Sequence, residues 1–300
     1  MTTGPPSRPP KPASRPPRLE RRYRVRRAAV VAALVAFVTA LIVLGQFTFR
    51  AYTGATCRAT AGGQSFAFTP EQARNAATIT GIAMKRGLPA RAATIALATA
   101  LQESNLRNLR YGDRDSLGLF QQRPSQGWGT QAQVLDPVHA ANAFYDALVK
   151  IDGYTTMEIT VVAQKVQRSA YPEAYADHEG QGRVLASALS GHSPGGLGCR
   201  LNQSPVGVAA DRLTAALLTE TGQTGSAADD GRTVTIHTSG EQSAWGVAEW
   251  LVASADTFGI TQVDVADRSW RRARGRDALD WVRTDGPTAG TTVTVVLVGR

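Results

Sequence analysis

Between residues 69 and 189 the apolar positions recur with a helical period. Thr69-Pro70-Glu71 reads as a helix start, with Thr as N-cap, Pro at the first helical position and an acid in the first turn. That helix runs to Lys85-Arg86 and stops at Gly87. Leu88-Pro89 begins the next, whose buried stripe is Ile95, Leu97, Ala98 and Leu101. Asp136-Pro137 opens a third helix that buries Ala140, Phe144, Ala147 and Leu148, and a fourth over 156–168 buries Ile159, Val162 and Val166. A fifth covers 181–189, and nothing in this stretch alternates long enough to predict a strand. Beyond Cys199 the pattern changes. Residues 201–230 read as a linker with one short amphipathic helix near 208–220. Then come a strand at Thr233–His237, a helix over 242–258 closed by Gly259, and strands at 262–265 and 291–298. The expected fold is a mainly α domain over 55–200 followed by a small α+β domain over 231–300.

The first 54 residues carry a different signal. Residues 1–27 hold seven of the fifteen prolines, with nine basic residues and one acid. Such a segment builds no core and is expected to be a disordered tail. Residues 28–45 contain no charge, and the apolar run extends to Phe47 through one Gln. About twenty residues at 1.5 Å each cross the apolar part of a bilayer, so 28–48 is expected to be one transmembrane helix. Arg26 and Arg27 at its N-terminal edge put the tail in the cytoplasm and the rest of the chain outside, in a single-pass arrangement at the cell membrane. A cleavable signal peptide is the alternative. Against it stand the long basic segment, the long apolar run and the want of a clean small-x-small site.

Charge and cysteines sharpen this picture. The tail accounts for +8 of the formal net charge of +9, so the folded part is almost neutral. A nucleic-acid partner is therefore not expected; the basic tail lies next to anionic lipid instead. Cys57 and Cys199 are the only cysteines, both on the expected outer side, and they enclose the helical region. An even pair in an oxidising compartment predicts a disulfide. The four histidines are scattered without metal-ligand spacing, so neither a metal site nor a cofactor is expected.

The candidate chemistry sits at Glu103-Ser104, which ends the apolar second helix, and at Ser116-Leu-Gly118-Leu-Phe-Gln121 some fifteen residues on. A lone carboxyl group in apolar surroundings is suited to general acid/base work, because burial raises its pKa. These residues resemble the lysozyme-like superfamily, and most nearly the soluble lytic transglycosylases and goose-type lysozymes. That family carries a Glu-Ser pair at a helix end followed by a Gly-Leu-(Met/Phe)-Gln segment. The resemblance covers about residues 65–190, and the helix at Asp136-Pro137 fits it. It implies a lysozyme-like domain that cleaves peptidoglycan glycan strands, with Glu103 as general acid/base. By the same carry-over Ser104 and Gln121 would line the groove, and Gly118 would let backbone approach the sugar. The family's late Ala-Tyr-Asn-Ala-Gly motif corresponds to Arg168-Ser-Ala-Tyr171-Pro172-Glu173-Ala-Tyr175, where Tyr171 would meet the acid and Pro stands for Asn. That departure leaves hydrolysis open beside transglycosylation. Asp113 and Asp115 would be second acids for a hydrolytic route, but read more simply as a polar turn. Trp128, between two glycines, suits either a sugar-stacking role or the core. The rival reading is a non-catalytic envelope protein that only holds glycan in a lysozyme-like groove.

The C-terminal unit, with Trp245, Trp250, Gly259 and Trp270 at its landmarks, is similar to a reduced D-Ala-D-Ala carboxypeptidase-like module found after wall-lytic domains. Its last strand has no His, so the resemblance implies a binding or structural domain without zinc. The run Arg268, Arg271, Arg272, Arg274, Arg276 reads as a solvated loop or as a contact for anionic wall polymer.

Overall fold

A computed structural model of the chain describes residues 31–33, 35–40, 54–167, 172–202, 207–286 and 289–299. The chain divides into two units at Gly54–Ala55. In the first, residues 31–33 and 35–40 are helical and exposed; this is α1. Among the described residues no helix is long and apolar enough to cross a membrane, and most of the span expected at 28–48 lies outside them.

The second unit starts with a hairpin, β1 (Thr56–Ala61) and β2 (Gln64–Phe68). The chain then enters α2 (Pro70–Lys85) through a capping box, in which the Gln72 N–H donates to the Thr69 hydroxyl (3.2 Å) and the Thr69 N–H donates to the Gln72 side-chain oxygen (2.8 Å). Next is α3 (Ala90–Ser104), which is covered on every side from Ala92 to Leu101. Its run of alanines lets neighbouring helices approach closely, and it is the central helix of the unit. Around it lie the short α4 (Gln131–Val134), α5 (Pro137–Leu148), α6 (Ile159–Gln167) and α7 (Glu179–Leu189). Strand β3 (Leu197–Arg200) then returns to β1, giving the sheet order β2-β1-β3 with Cys57 opposite Cys199. The two cysteines form a disulfide. The sheet itself was not expected from the sequence. Its inward positions include Cys57 and Ala59, small residues that leave only a faint alternation, and β1 pairs with a strand far along the chain.

The C-terminal part is a six-stranded antiparallel sheet of order β4-β5-β9-β6-β7-β8. Its strands are β4 (Gly225–Ala227), β5 (Thr233–His237), β6 (Ile260–Val265), β7 (Arg268–Arg271), β8 (Val282–Arg283) and β9 (Thr292–Leu297). Within the expected linker lies α8 (Ala210–Thr221), packed on α2. The helix expected at 242–258 is two pieces, α9 (Glu241–Ala253) and α10 (Ala255–Phe258), with Ser254 between them. Helix α9 packs on β6 and β9 and also against α2, α7 and β3. Residues 55–300 therefore share one core, and no boundary divides the helical region from the sheet.

Polar ties reinforce that sharing. Arg74 on α2 forms a two-pronged ion pair with Glu220 on α8. The Thr78 hydroxyl and the Trp250 indole N–H both donate to Glu220 Oε2, each at 3.0 Å. Glu220 is 4% exposed, so its charge depends on these four donors. Replacing it with Gln keeps the shape but removes the charge. The variant is expected to unfold at lower denaturant, with a loss of about 2 kcal/mol on a chemical denaturation curve. Trp270 and Trp281 hold β3 in the same way. The Trp270 indole N–H donates to Cys199 O (3.2 Å) and Ala278 O (2.9 Å), and that of Trp281 to Leu197 O (2.8 Å). Within the basic run, Arg272 is not a free cation. It donates to Asn202 O (2.6 Å) and Ala255 O (3.0 Å) and pairs with Asp256 at 2.7 Å.

Candidate active site

Glu103 stands one residue before the end of α3. The helix stops because Asn105 and Leu106 are both left-handed, with φ of 53° and 56°. Asn tolerates that conformation; Leu does so rarely and holds it here at a cost of about 1 kcal/mol. Buried side chains of α2 fix the turn. The Gln72 amide donates to the Asn105 carbonyl and side-chain oxygens, each at 3.0 Å, and the Asn75 amide donates to Leu106 O (2.8 Å). Gln72 thus caps its own helix and anchors the end of the next.

The Gly-Leu-Phe-Gln segment lies against this helix end. The Ser104 hydroxyl donates to Leu119 O (2.7 Å) and lies 3.0 Å from Ala100 O, with the residue 6% exposed. Ser104 therefore latches α3 to the segment. Gly118 is likewise held by packing. It is buried at φ 78°, and a Cβ there would lie 2.5 Å from the carbonyl oxygen of Val134. The close approach that needs glycine here is to the end of α4. Gln121 is half-buried at φ 48°, with its amide directed at Gly118 O (3.2 Å) and Tyr111 O (3.3 Å). Asn105 and Leu106 after the acid, and Gln121 at the end of the segment, are thus non-glycine residues with positive φ.

The Glu103 carboxyl is half-buried. The Tyr175 hydroxyl donates to its Oε1 at 2.6 Å, and the Gln167 side chain also bonds to it. Gln167 also donates to Phe120 O (2.6 Å), which ties α6 to the segment. Burial raises the Glu103 pKa above 4.5, and the two hydrogen bonds oppose it less strongly. The proton is thus held to higher pH than on an ordinary Glu, and the phenol steadies the carboxylate once the proton leaves. Tyr171 lies outside the described residues, and the phenol on the acid is that of Tyr175, four residues later. Neither Tyr175 nor Gln167 stands out in the sequence by itself; the tyrosine is one of two in the late segment.

Asp115 is engaged elsewhere. It accepts from Arg123 Nε (2.8 Å) and from the Ser125 N–H (2.8 Å) and hydroxyl (3.0 Å), and these contacts hold its carboxyl well below the usual carboxylate range. Asp113 is exposed beside Arg114. Among the described residues no cluster of three or more His, Cys, Asp or Glu is placed to hold a metal ion.

Tyr175→Phe is expected to move the titration of the Glu103 carboxyl to still higher pH, followed by carboxyl NMR, since it removes a bond that favours the charged carboxylate. A titration that stays in place would separate Tyr175 from the ionisation of Glu103.

In sequence, the chain matches no protein-family model and no curated protein.

Proposed function

We propose that this chain cleaves the glycan strands of peptidoglycan outside the cell membrane, with Glu103 as general acid/base. The observation that carries the reading is the Glu103 carboxyl. It is half-buried, raised in pKa, bonded to Tyr175 and fixed at a rigid helix end beside the Gly118–Gln121 segment. In the forward step the protonated carboxyl gives its proton to the glycosidic oxygen as the C–O bond breaks, and the sugar carries positive charge at C1. The carboxylate then takes a proton from the attacking oxygen. If that oxygen belongs to water, the product is a reducing end. If it is a hydroxyl of the same sugar, the product is an anhydro end. Tyr175 holds the carboxylate during the interval, and Ser104, Gln72 and Asn75 keep the helix end in place. No cofactor is required.

The anchor belongs to the same proposal. The charge-free run over 28–45 with Arg26 and Arg27 before it supports a single-pass membrane protein with a cytoplasmic N-terminus. A disulfide between Cys57 and Cys199 suits the oxidising side of that membrane. The experiment is to incubate the full chain in detergent with purified peptidoglycan and to analyse the ends of the soluble fragments by mass spectrometry. Reducing ends identify hydrolysis and anhydro ends identify transglycosylation. Absence of soluble fragments refutes the proposal.

A further inference from the structure

On the side of α6 away from Glu103 lies a cavity of about 690 Å³. The separation follows from helix geometry. Gln167 reaches Glu103, while Lys165 and Val166 line the cavity, turned about 200° and 100° from Gln167 around the helix. The floor is one face of α5, where His139, Ala143 and Ala147 recur at four-residue spacing. The two alanines leave the space that larger side chains would fill.

The wall is the loop of residues 126–129, and its shape is fixed. Gly127 and Gly129 have φ of 83° and 124°, and a Cβ on Gly129 would lie 2.8 Å from His139 Nε2. That nitrogen bonds to the Trp128 carbonyl oxygen (3.1 Å), and Thr130 starts α4 through a capping box with Gln133. Trp128 is half-buried, packed on the core and lining the cavity. The charge at the rim is positive. Asp146 is matched by Arg86 at 2.7 Å, whereas Lys150 and Lys165 form no ion pair among the described residues. A pre-formed aromatic wall with two free ammonium groups suits a ring that carries an anion.

We infer that this cavity is a second saccharide site, separate from Glu103, for a sugar bearing a carboxylate. The indole takes the apolar face of the ring, Lys150 and Lys165 take the carboxylate, and the Gln126 amide lies within the same cavity for hydroxyl or acetamido groups. The inference rests on the glycan reading above and adds to it a preference for acidic strands, held at a point other than the cleavage site.

The test uses the full chain in detergent, with Glu103→Gln to prevent turnover. Two probes are titrated by calorimetry: a peptide-free tetrasaccharide of alternating N-acetylglucosamine and N-acetylmuramic acid, and neutral chitotetraose. The acidic probe is expected to bind about tenfold more tightly than the neutral one. Lys150→Gln with Lys165→Gln is expected to abolish that preference, and Trp128→Ala to weaken the acidic probe about tenfold, with circular dichroism unchanged in each. Equal affinity for the two probes overturns the inference, as does a preference that survives the double lysine variant. So does an affinity for the acidic probe that Trp128→Ala leaves unchanged. Wild-type cleavage of peptidoglycan with an unchanged titration in these variants refutes this site alone. Charge-selective binding that these variants abolish, in a wild-type chain that cleaves nothing, refutes the enzyme reading alone.

Discussion

Glu103→Gln is expected to lower glycan cleavage by about 10²–10⁴-fold, the range that a positioned general acid contributes. Gln keeps the size and the acceptor for the Tyr175 hydroxyl but has no proton to give. The same change is expected to stabilise the fold at neutral pH. Burial raises the pKa of Glu103 in the folded state, so above 4.5 the folded chain holds a proton that the unfolded chain has released. Stability therefore falls as pH rises from 4.5 through the folded value, and the loss is complete above it. Gln does not ionise and escapes that loss. The variant should melt higher than wild type at pH 7, and the gap should close towards pH 4. Opposite signs for activity and stability mark a group kept under strain for its chemistry. Thermal melts at pH 4 and pH 7 check the second half directly, and a variant that melts lower at both would argue for a merely structural carboxyl.

Loss of the disulfide is expected to be the largest effect on stability. Cys57 and Cys199 are 142 residues apart in sequence, and the bridge closes almost the whole helical region. Closing so long a loop removes much of the freedom of the unfolded chain, and removal of such a bond costs roughly 2–5 kcal/mol. For a unit of this size each kcal/mol shifts Tm by roughly 2–4 °C, so Cys57→Ser with Cys199→Ser should melt roughly 4–20 °C lower. The bridge also joins β1 to β3, and β3 is gripped by the indoles of Trp270 and Trp281. The loss should therefore spread to the C-terminal sheet. Melts followed by tryptophan fluorescence and by far-UV circular dichroism should move together; a sheet that melts unchanged would contradict the shared core.

What was legible in the sequence was local. Thr69-Pro70 announced a capped helix, and Asp136-Pro137 another, because caps and N-terminal prolines act within one turn. Two cysteines expected on the outer side of a membrane announced their bond. The pairing of Glu103-Ser104 with Gly118–Gln121 was visible as a motif, and the fold brings its parts together. The roles within the motif were not visible. Ser104 and Gly118 serve contacts with Leu119 and Val134, and nothing in their spacing distinguishes a residue that packs from one that meets a sugar. Tyr175 and Tyr171 share one short segment, and nothing local to it marks Tyr175 as a phenol that reaches the acid. The same limit hid the three-stranded sheet, whose β1 pairs with β3 from far along the chain. It also hid the single core, which depends on Arg74, Glu220 and Trp250 meeting from three distant helices.

Whether Glu103 breaks glycosidic bonds is decided by a pair of parallel incubations. Full-length wild type and Glu103→Gln, both shown to be folded, are incubated in parallel with purified peptidoglycan, and soluble fragments are counted. Wild type is expected to release fragments, and the variant about 10²–10⁴-fold fewer. Equal release by both, or none by either, would contradict it; none by either would leave a glycan-binding protein with a lysozyme-like groove as the reading.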